Sequence, residues 1–149
     1  MQKSFSNRFL ACLIIAILIG IAPRTTPVWS QLFESDSKRF GNSKMDIRVK
    51  EIERRERSSV IQIDIKSAGS SVGGSFFLLC SIRDLALARG GYRHVVKIEE
   101  YPKPSQMLIG FLHKLDEDPA SLGPEFRALS GSEAVISLDQ FAEICGQMK

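Results

Sequence analysis

The feature that most constrains this chain is its N-terminal segment, which has the composition of an export signal. Lys3 and Arg8 make the start basic, and residues 9–22 (FLACLIIAILIGIA) form an unbroken apolar run. Prolines and small residues follow, and they predict a signal-peptidase site between Ser30 and Gln31. Because a membrane-spanning helix needs about 20 apolar residues, this run is short for a permanent anchor. We therefore expect a cleaved signal peptide and a periplasmic or secreted protein; the alternative is an uncleaved leader that anchors the chain in the inner membrane.

Removal of a signal peptide over residues 1–30 changes the charge of the chain. The full sequence has 20 Lys and Arg against 17 Asp and Glu, a formal net charge of +3. The excess comes from Lys3, Arg8 and Arg24, because residues 1–30 contain no acidic residue. The 149-residue chain less these 30 leaves 119 charge-balanced residues, which are enough for one domain and too few for two. Without an excess of positive charge for phosphates, we expect no nucleic-acid partner.

Of the three cysteines, Cys80 and Cys145 follow the leader. An oxidising compartment favours a disulfide between them. The bridge would close a loop of about 65 residues and contribute roughly 4 kcal/mol to stability. The alternative is two separate buried thiols, each packing as a small apolar residue.

The rest of the chain divides into a tether and a folded domain. Residues 31–44 are polar and aperiodic, which predicts a flexible tether ahead of a domain over residues 45–149. Alternating apolar residues then predict strands over 45–50 and 61–66. The densely charged segment 51–59 between them is expected to be a solvated strand end and turn.

A glycine-rich segment separates the second strand from a strongly apolar stretch. The pattern predicts a helix over 76–89, capped by Ser75 and ended by Gly90 and Gly91. Because this helix is apolar over most of its circumference, we expect it to be mostly buried against the sheet.

Two more strands are expected over 92–100 and 106–115, the second apolar on both faces and so central in the sheet. A last helix is predicted to begin at Ser137, which forms a capping box with Gln140. The order β-β-α-β-β-α indicates an α+β domain of about four strands with two helices on one face.

The connection between these last two strands is a candidate for contact with a partner. It consists of Tyr101, Pro102, Lys103 and Pro104. Prolines stiffen the backbone, and a rigid loop loses little entropy on binding. The alternative interpretation is a stiff hairpin connection with no further role.

The segment from Leu85 to Ile98 (LALARGGYRHVVKI) resembles a pattern found in small exported bacterial proteins of unknown function. The resemblance is confined to this segment, and it implies no catalytic or binding residue.

Two histidines, His94 and His113, are the main candidates for acid–base or metal chemistry. If their strands are neighbours the rings can approach each other, with a carboxylate of Glu99, Glu100 or Asp116 completing the site. The sequence has no short metal-ligand spacing, and its glycine-rich segment lacks the lysine of a phosphate-binding loop. We therefore expect no metal, no cofactor and no catalytic residue.

These observations favour a non-catalytic domain that binds an unknown protein or small ligand of the cell envelope. The alternative is a small exported, hydrolase-like enzyme that uses His94 or His113 with a nearby carboxylate. A third possibility is a structural stabiliser of the envelope that is held by an uncleaved leader.

Overall fold

A computed structural model describes residues 31–40, 43–129 and 134–148, so the expected signal peptide, including Ser30, lies outside the described residues. Gln31, on the other side of the expected cleavage site, is exposed. The described strands are β1 (Glu34–Asp36), β2 (Asp46–Arg54), β3 (Ser58–Ser67), β4 (His94–Glu99), β5 (Gln106–Leu112) and β6 (Ile136–Ser137). The described helices are α1 (Ser71–Gly90) and α2 (Ala142–Gln147). The strands form one curled antiparallel sheet in the order β1-β2-β3-β5-β4-β6.

The α+β class is confirmed, but the predicted number of strands and their order are wrong. The described sheet has six strands where the sequence predicts about four, because β1 and β6 are only three and two residues long. Segments this short cannot show an alternating pattern. β1 lies within residues 31–44, where a flexible tether was expected, and it pairs with β2.

Helix α1 begins five residues earlier than the sequence predicts. Its N-cap is Ser70, whose side chain accepts a hydrogen bond from the backbone N–H of Gly73, and not Ser75. Gly73 and Gly74 of the glycine-rich segment therefore lie in the first helical turn. A Cβ at Gly74 would lie 3.4 Å from side-chain atoms of Ala68 and Ile47, so glycine lets this turn pack closely on the sheet. The helix ends at Gly91, which has a φ of 75°, as expected from its sequence.

One face of the sheet packs against α1. Paired residues that share this face include Val49 with Ile63 and Val95 with Phe111. The core here is formed by buried side chains of β2, β3, β4, β5 and α1, together with Met45 before β2 and Leu138 after β6: Ile47, Val49, Ile61, Phe77, Ile82, Leu85, Ala86, Val95, Met107, Ile109 and Phe111. The expectation that the strand containing residues 106–112 is central is confirmed, because β5 lies between β3 and β4.

The opposite face of the sheet carries a second, smaller core. The segment after β5 covers it with two short 3-10 turns, Pro119–Leu122 and Pro124–Ala128. Their side chains pack on Val60, Val96, Leu108 and Leu112. Gly110 provides the space for this packing, since a Cβ at this position would lie 2.8 Å from the Phe126 ring.

The C-terminal helix α2 is joined to α1 by a disulfide. Cys80 and Cys145 lie at disulfide distance, with Cα atoms 5.3 Å apart, so the bridge is the outcome that the structure supports. The predicted capping box is wrong: Ser137 precedes a 3-10 turn over Leu138–Phe141 and makes no side-chain cap. Helix α2 follows this turn and is only six residues long.

Within the described residues, α1 is the one helix whose length and mean hydropathy would allow it to cross a membrane. The core helix of a water-soluble domain meets the same test, and α1 packs against the sheet.

Candidate functional site

The two histidines lie on adjacent parts of the sheet but on opposite faces. The register of β4 and β5 places His94 opposite Leu112, on the face away from α1. His113 follows Leu112, and its ring lies on the α1 side, 4.9 Å from the ring of Tyr92. The strands are neighbours, which was the condition for an approach of the two rings, but the rings lie on opposite faces of the sheet.

The carboxylates considered for a histidine site do not join either ring. Glu99 lies opposite Met107, six residues from His113 along β5, or about 20 Å. Glu100 and Asp116 occupy turns at the two ends of β5. Among the described residues, no group of three or more His, Cys, Asp or Glu side chains can hold a metal ion.

The Tyr101–Pro104 segment connects β4 to β5. The N–H of Tyr101 donates to the carbonyl of Gln106 at 3.2 Å, and the Tyr101 ring packs on the smaller core. Pro102, Lys103 and Pro104 are exposed. The loop is thus held at one side and open at the other, and its role in partner contact stays a prediction.

A buried charged cluster lies at the other end of the sheet, where β2 turns into β3. The register shifts between Glu51 and Glu53, so Ile52 forms a bulge. In a regular strand, residues three apart point to opposite faces; the bulge lets Arg54 and Glu51 form an ion pair. Ser59, on the neighbouring strand, donates a hydrogen bond to Glu51 at 2.7 Å. The expected solvated turn therefore contains a fully buried carboxylate.

Arg89, in the last turn of α1, completes this cluster. Its guanidinium is 7% exposed and lies 3.0 Å from a carboxylate oxygen of Glu51. Its other acceptors are the Ser59 hydroxyl and the backbone carbonyls of Arg55, Glu56 and Ser58. The same guanidinium lies over the Phe111 ring, 5.2 Å from its centroid. Arg89 thus joins the end of α1 to the β2–β3 hairpin.

The ionisation of Glu51 fits a structural role. Burial raises the pKa of this carboxyl, but hydrogen bonds from Arg54, Ser59 and the Phe33 N–H lower it more strongly, to about 2. Glu51 is therefore an anion at neutral pH, with its oxygens already occupied by donors. A carboxylate in this state is a poor proton donor or acceptor for a substrate.

An apolar groove runs between the N-terminal half of α1 and the β4–β5 side of the sheet, and we call it the α1 groove. Its inner lobe, of about 300 Å³, is lined by Leu78, Leu79, Ile82, Val95, Met107 and Ile136, with exposed Ser75, Lys97 and Glu99. Leu78, Leu79 and Ile136 are half-buried and remain available to a ligand. Ligand sites combine such apolar linings with a few polar groups.

The groove continues into an outer lobe, also of about 300 Å³. This lobe is lined by Ile63, Ile65, Leu78, Glu99, Glu100, Ser105, Gln106 and Met107. The two lobes share Leu78, Glu99 and Met107, so they adjoin each other. The exposed Ile65 side chain makes the outer lobe apolar at the surface.

Two other depressions are poorer candidates. The space beside the disulfide holds only about 10 Å³, roughly the room for one water molecule. A larger depression of about 420 Å³ is bordered mainly by charged side chains. Two of these, Lys38 and Asp46, already pair with each other at 3.0 Å.

No local sequence pattern predicted the groove or the buried cluster. The groove needs the register of β4 and β5 to bring Val95 and Met107 beside α1, and no local pattern shows that register. The bulge at Ile52 was detectable only as the point where alternation fails. Comparisons with protein families, with curated proteins and with solved structures found no match.

Proposed function

We propose that this chain is an exported, non-catalytic binding domain whose α1 groove receives a short apolar segment of another polypeptide. The observation that carries the proposal is the continuous apolar lining of the two lobes around Leu78 and Met107. Burial of such exposed apolar surface against a partner removes it from water, and this favours binding.

The shape of the groove favours a polypeptide segment over a small molecule. A small apolar ligand is held tightly when most of its surface is enclosed. Both lobes are partly open depressions, so a bound ligand would keep part of its surface in contact with solvent. A peptide with apolar side chains on one face and polar side chains on the other can pack its apolar face in the groove and keep its polar face in water.

The enzyme alternative has less support. His94 and His113 lie on opposite faces, and neither lines a lobe of the groove. Lys97 and Glu99, which do line the inner lobe, form an ion pair with each other. These groups offer no arrangement of nucleophile, base and orienting residue.

Methionine methyl groups provide a direct test of binding. The full chain is expressed with its N-terminal segment, labelled with ¹³C at the methionine methyls and studied by NMR after export. The probes are peptides of about eight residues with Leu or Val alternating with Thr. We expect the Met107 signal to shift on titration, because Met107 lines both lobes. Met45 lies in the core and Met148 lies beside the disulfide, so both should stay unchanged.

A pair of matched variants tests the location of binding. Leu78→Ser removes an apolar side chain common to both lobes, and we expect roughly tenfold weaker peptide binding. Leu87→Ser is the control, because Leu87 is a 42% exposed leucine of the same helix that does not line the groove. Equal affinity of the two variants, with both folded, would contradict the proposal.

Export is tested separately by the intact mass of protein recovered from its natural compartment. We expect a chain that begins at Gln31 and lacks two hydrogen atoms because Cys80 and Cys145 are bridged. Recovery from the cytosol with residues 1–30 attached would contradict the assignment as an exported protein.

A further inference from the structure

The outer lobe of the α1 groove has an unbalanced charge, which indicates what its partner carries. We propose that the docked segment presents a Lys or Arg side chain at the end of the groove formed by Glu99 and Glu100. This inference rests on the function proposed above. It adds the charge of the docked segment and the orientation of that segment in the groove.

The charges of the two lobes differ. In the inner lobe, Lys97 pairs with Glu99, so these two side chains neutralise each other. In the outer lobe, Glu100 is exposed, and within the described residues no ion pair involves it. Among the described residues that line the outer lobe, none is basic. Its apolar floor, formed by Ile63, Ile65, Leu78 and Met107, thus ends at an uncompensated carboxylate.

The surface beyond the outer lobe does not supply the missing positive charge. The adjoining depression is bordered by Lys38, Asp46, Arg48, Asp64 and Lys66. Lys38 pairs with Asp46 and Arg48 pairs with Asp36, which leaves Asp64 and Lys66 with opposite charges. A cationic group on a bound segment would therefore be attracted to the Glu99–Glu100 end. An anionic group would be repelled there.

The attraction is expected to be modest, since both carboxylates are exposed to solvent. One added ion pair at an exposed site changes affinity by up to about fivefold at low salt, and repulsion of an anionic peptide adds to the difference between two peptides of opposite charge. Ions screen such a contact, because the Debye length is about 10 Å at 0.1 M salt. The preference for a basic peptide should therefore fall as salt is added, while the apolar part of the affinity remains.

The experiment compares two labelled peptides with the same alternating apolar core, one ending in Lys-Lys and one in Glu-Glu, by fluorescence anisotropy with the full chain. We expect the Lys-Lys peptide to bind three- to tenfold more tightly at 20 mM salt. Glu100→Gln should abolish this preference, because Glu99 remains paired with Lys97, and the double variant Glu99→Gln/Glu100→Gln should reverse it, because only Lys97 then remains. Glu56→Gln is the control, since Glu56 is an exposed acid in the β2–β3 turn and does not line the groove.

The outcomes separate this inference from the proposed function. Equal affinity for the two peptides, with binding still lost in Leu78→Ser, would overturn the charge preference and leave the groove as a binding site. Absence of binding by both peptides would overturn both proposals. An equal effect of Glu56→Gln and Glu100→Gln would also overturn the inference, because the preference would then follow net charge alone.

Discussion

Replacement of Arg89 by methionine tests whether the buried charged cluster stabilises the fold. Methionine keeps an unbranched apolar stem and removes the guanidinium, which lies over the Phe111 ring, with every donor that it carries. The variant separates two roles of Arg89, packing and hydrogen bonding. It leaves the ion pair of Glu51 with Arg54 in place.

The expected loss follows from the five acceptors of Arg89. Glu51 keeps hydrogen bonds from Arg54, Ser59 and the Phe33 N–H, so its charge stays compensated in part. The carbonyl of Ser58 keeps a bond from the Arg55 N–H at 2.9 Å. The carbonyls of the turn lie near the surface, where water can replace the lost donor. The cost should therefore be near the lower end of the range for broken buried ion pairs, roughly 3 kcal/mol.

Urea unfolding followed by circular dichroism measures this loss, with the disulfide kept oxidised. The control is Arg93→Met, because Arg93 is 69% exposed and pairs with Asp139 at 3.4 Å. We expect the control to change the free energy of unfolding by less than about 0.5 kcal/mol. A loss below about 1 kcal/mol for Arg89→Met would refute the view that Arg89 joins α1 to the hairpin.

The remaining predictions concern pH, the disulfide and packing. Because the pKa of Glu51 is about 2 in the folded protein against an ordinary 4.5, its contribution is present above pH 4.5 and lost as the pH falls towards 2. Full protonation would remove on the order of 3 kcal/mol, of which roughly 2 kcal/mol is lost between pH 7 and pH 3. Unfolding at these two pH values should show that this part of the acid sensitivity is absent in Glu51→Gln. Replacing Cys80 and Cys145 by alanine should destabilise the fold by roughly 2–4 kcal/mol, because the bridge spans 65 residues, and the midpoint of thermal unfolding reports it. Gly110→Ala should lower the free energy of unfolding by about 1–3 kcal/mol, because the added methyl group overpacks the smaller core. Gly146→Ala should be neutral or stabilising, because nothing lies within 4 Å of its added methyl group. Urea unfolding compares the two variants.

The elements that the sequence predicted correctly are those with a repeated local pattern. Ile61, Ile63 and Ile65 alternate clearly, and they lie in β3; the apolar run before Gly91 lies in α1. The errors occur where the local pattern is short or broken. β1 and β6 have too few residues to alternate, and the bulge at Ile52 interrupts β2.

The α1 groove and the buried charged cluster both depend on contacts between residues that are distant in the sequence. This explains why no local pattern predicted either of them. Glu51 and Arg89 are 38 residues apart, and their acidic and basic neighbours made the β2–β3 segment look like a solvated turn. The sequence alone does not show whether a charged side chain is solvated or paired with an opposite charge in the interior. Only the tertiary structure distinguishes them.

Helix α1 is held at two points, Arg89 and Cys80, and neither of them lines the α1 groove. Arg89 fixes the C-terminal end of the helix, and Cys80 fixes its middle through a side that lines a different, much smaller cavity. The groove uses Leu78, Leu79 and Ile82 on the side facing β4 and β5. We therefore expect Arg89→Met to lower stability without changing peptide affinity at temperatures where the variant is folded. A parallel loss of affinity would mean that the groove depends on the exact position of α1.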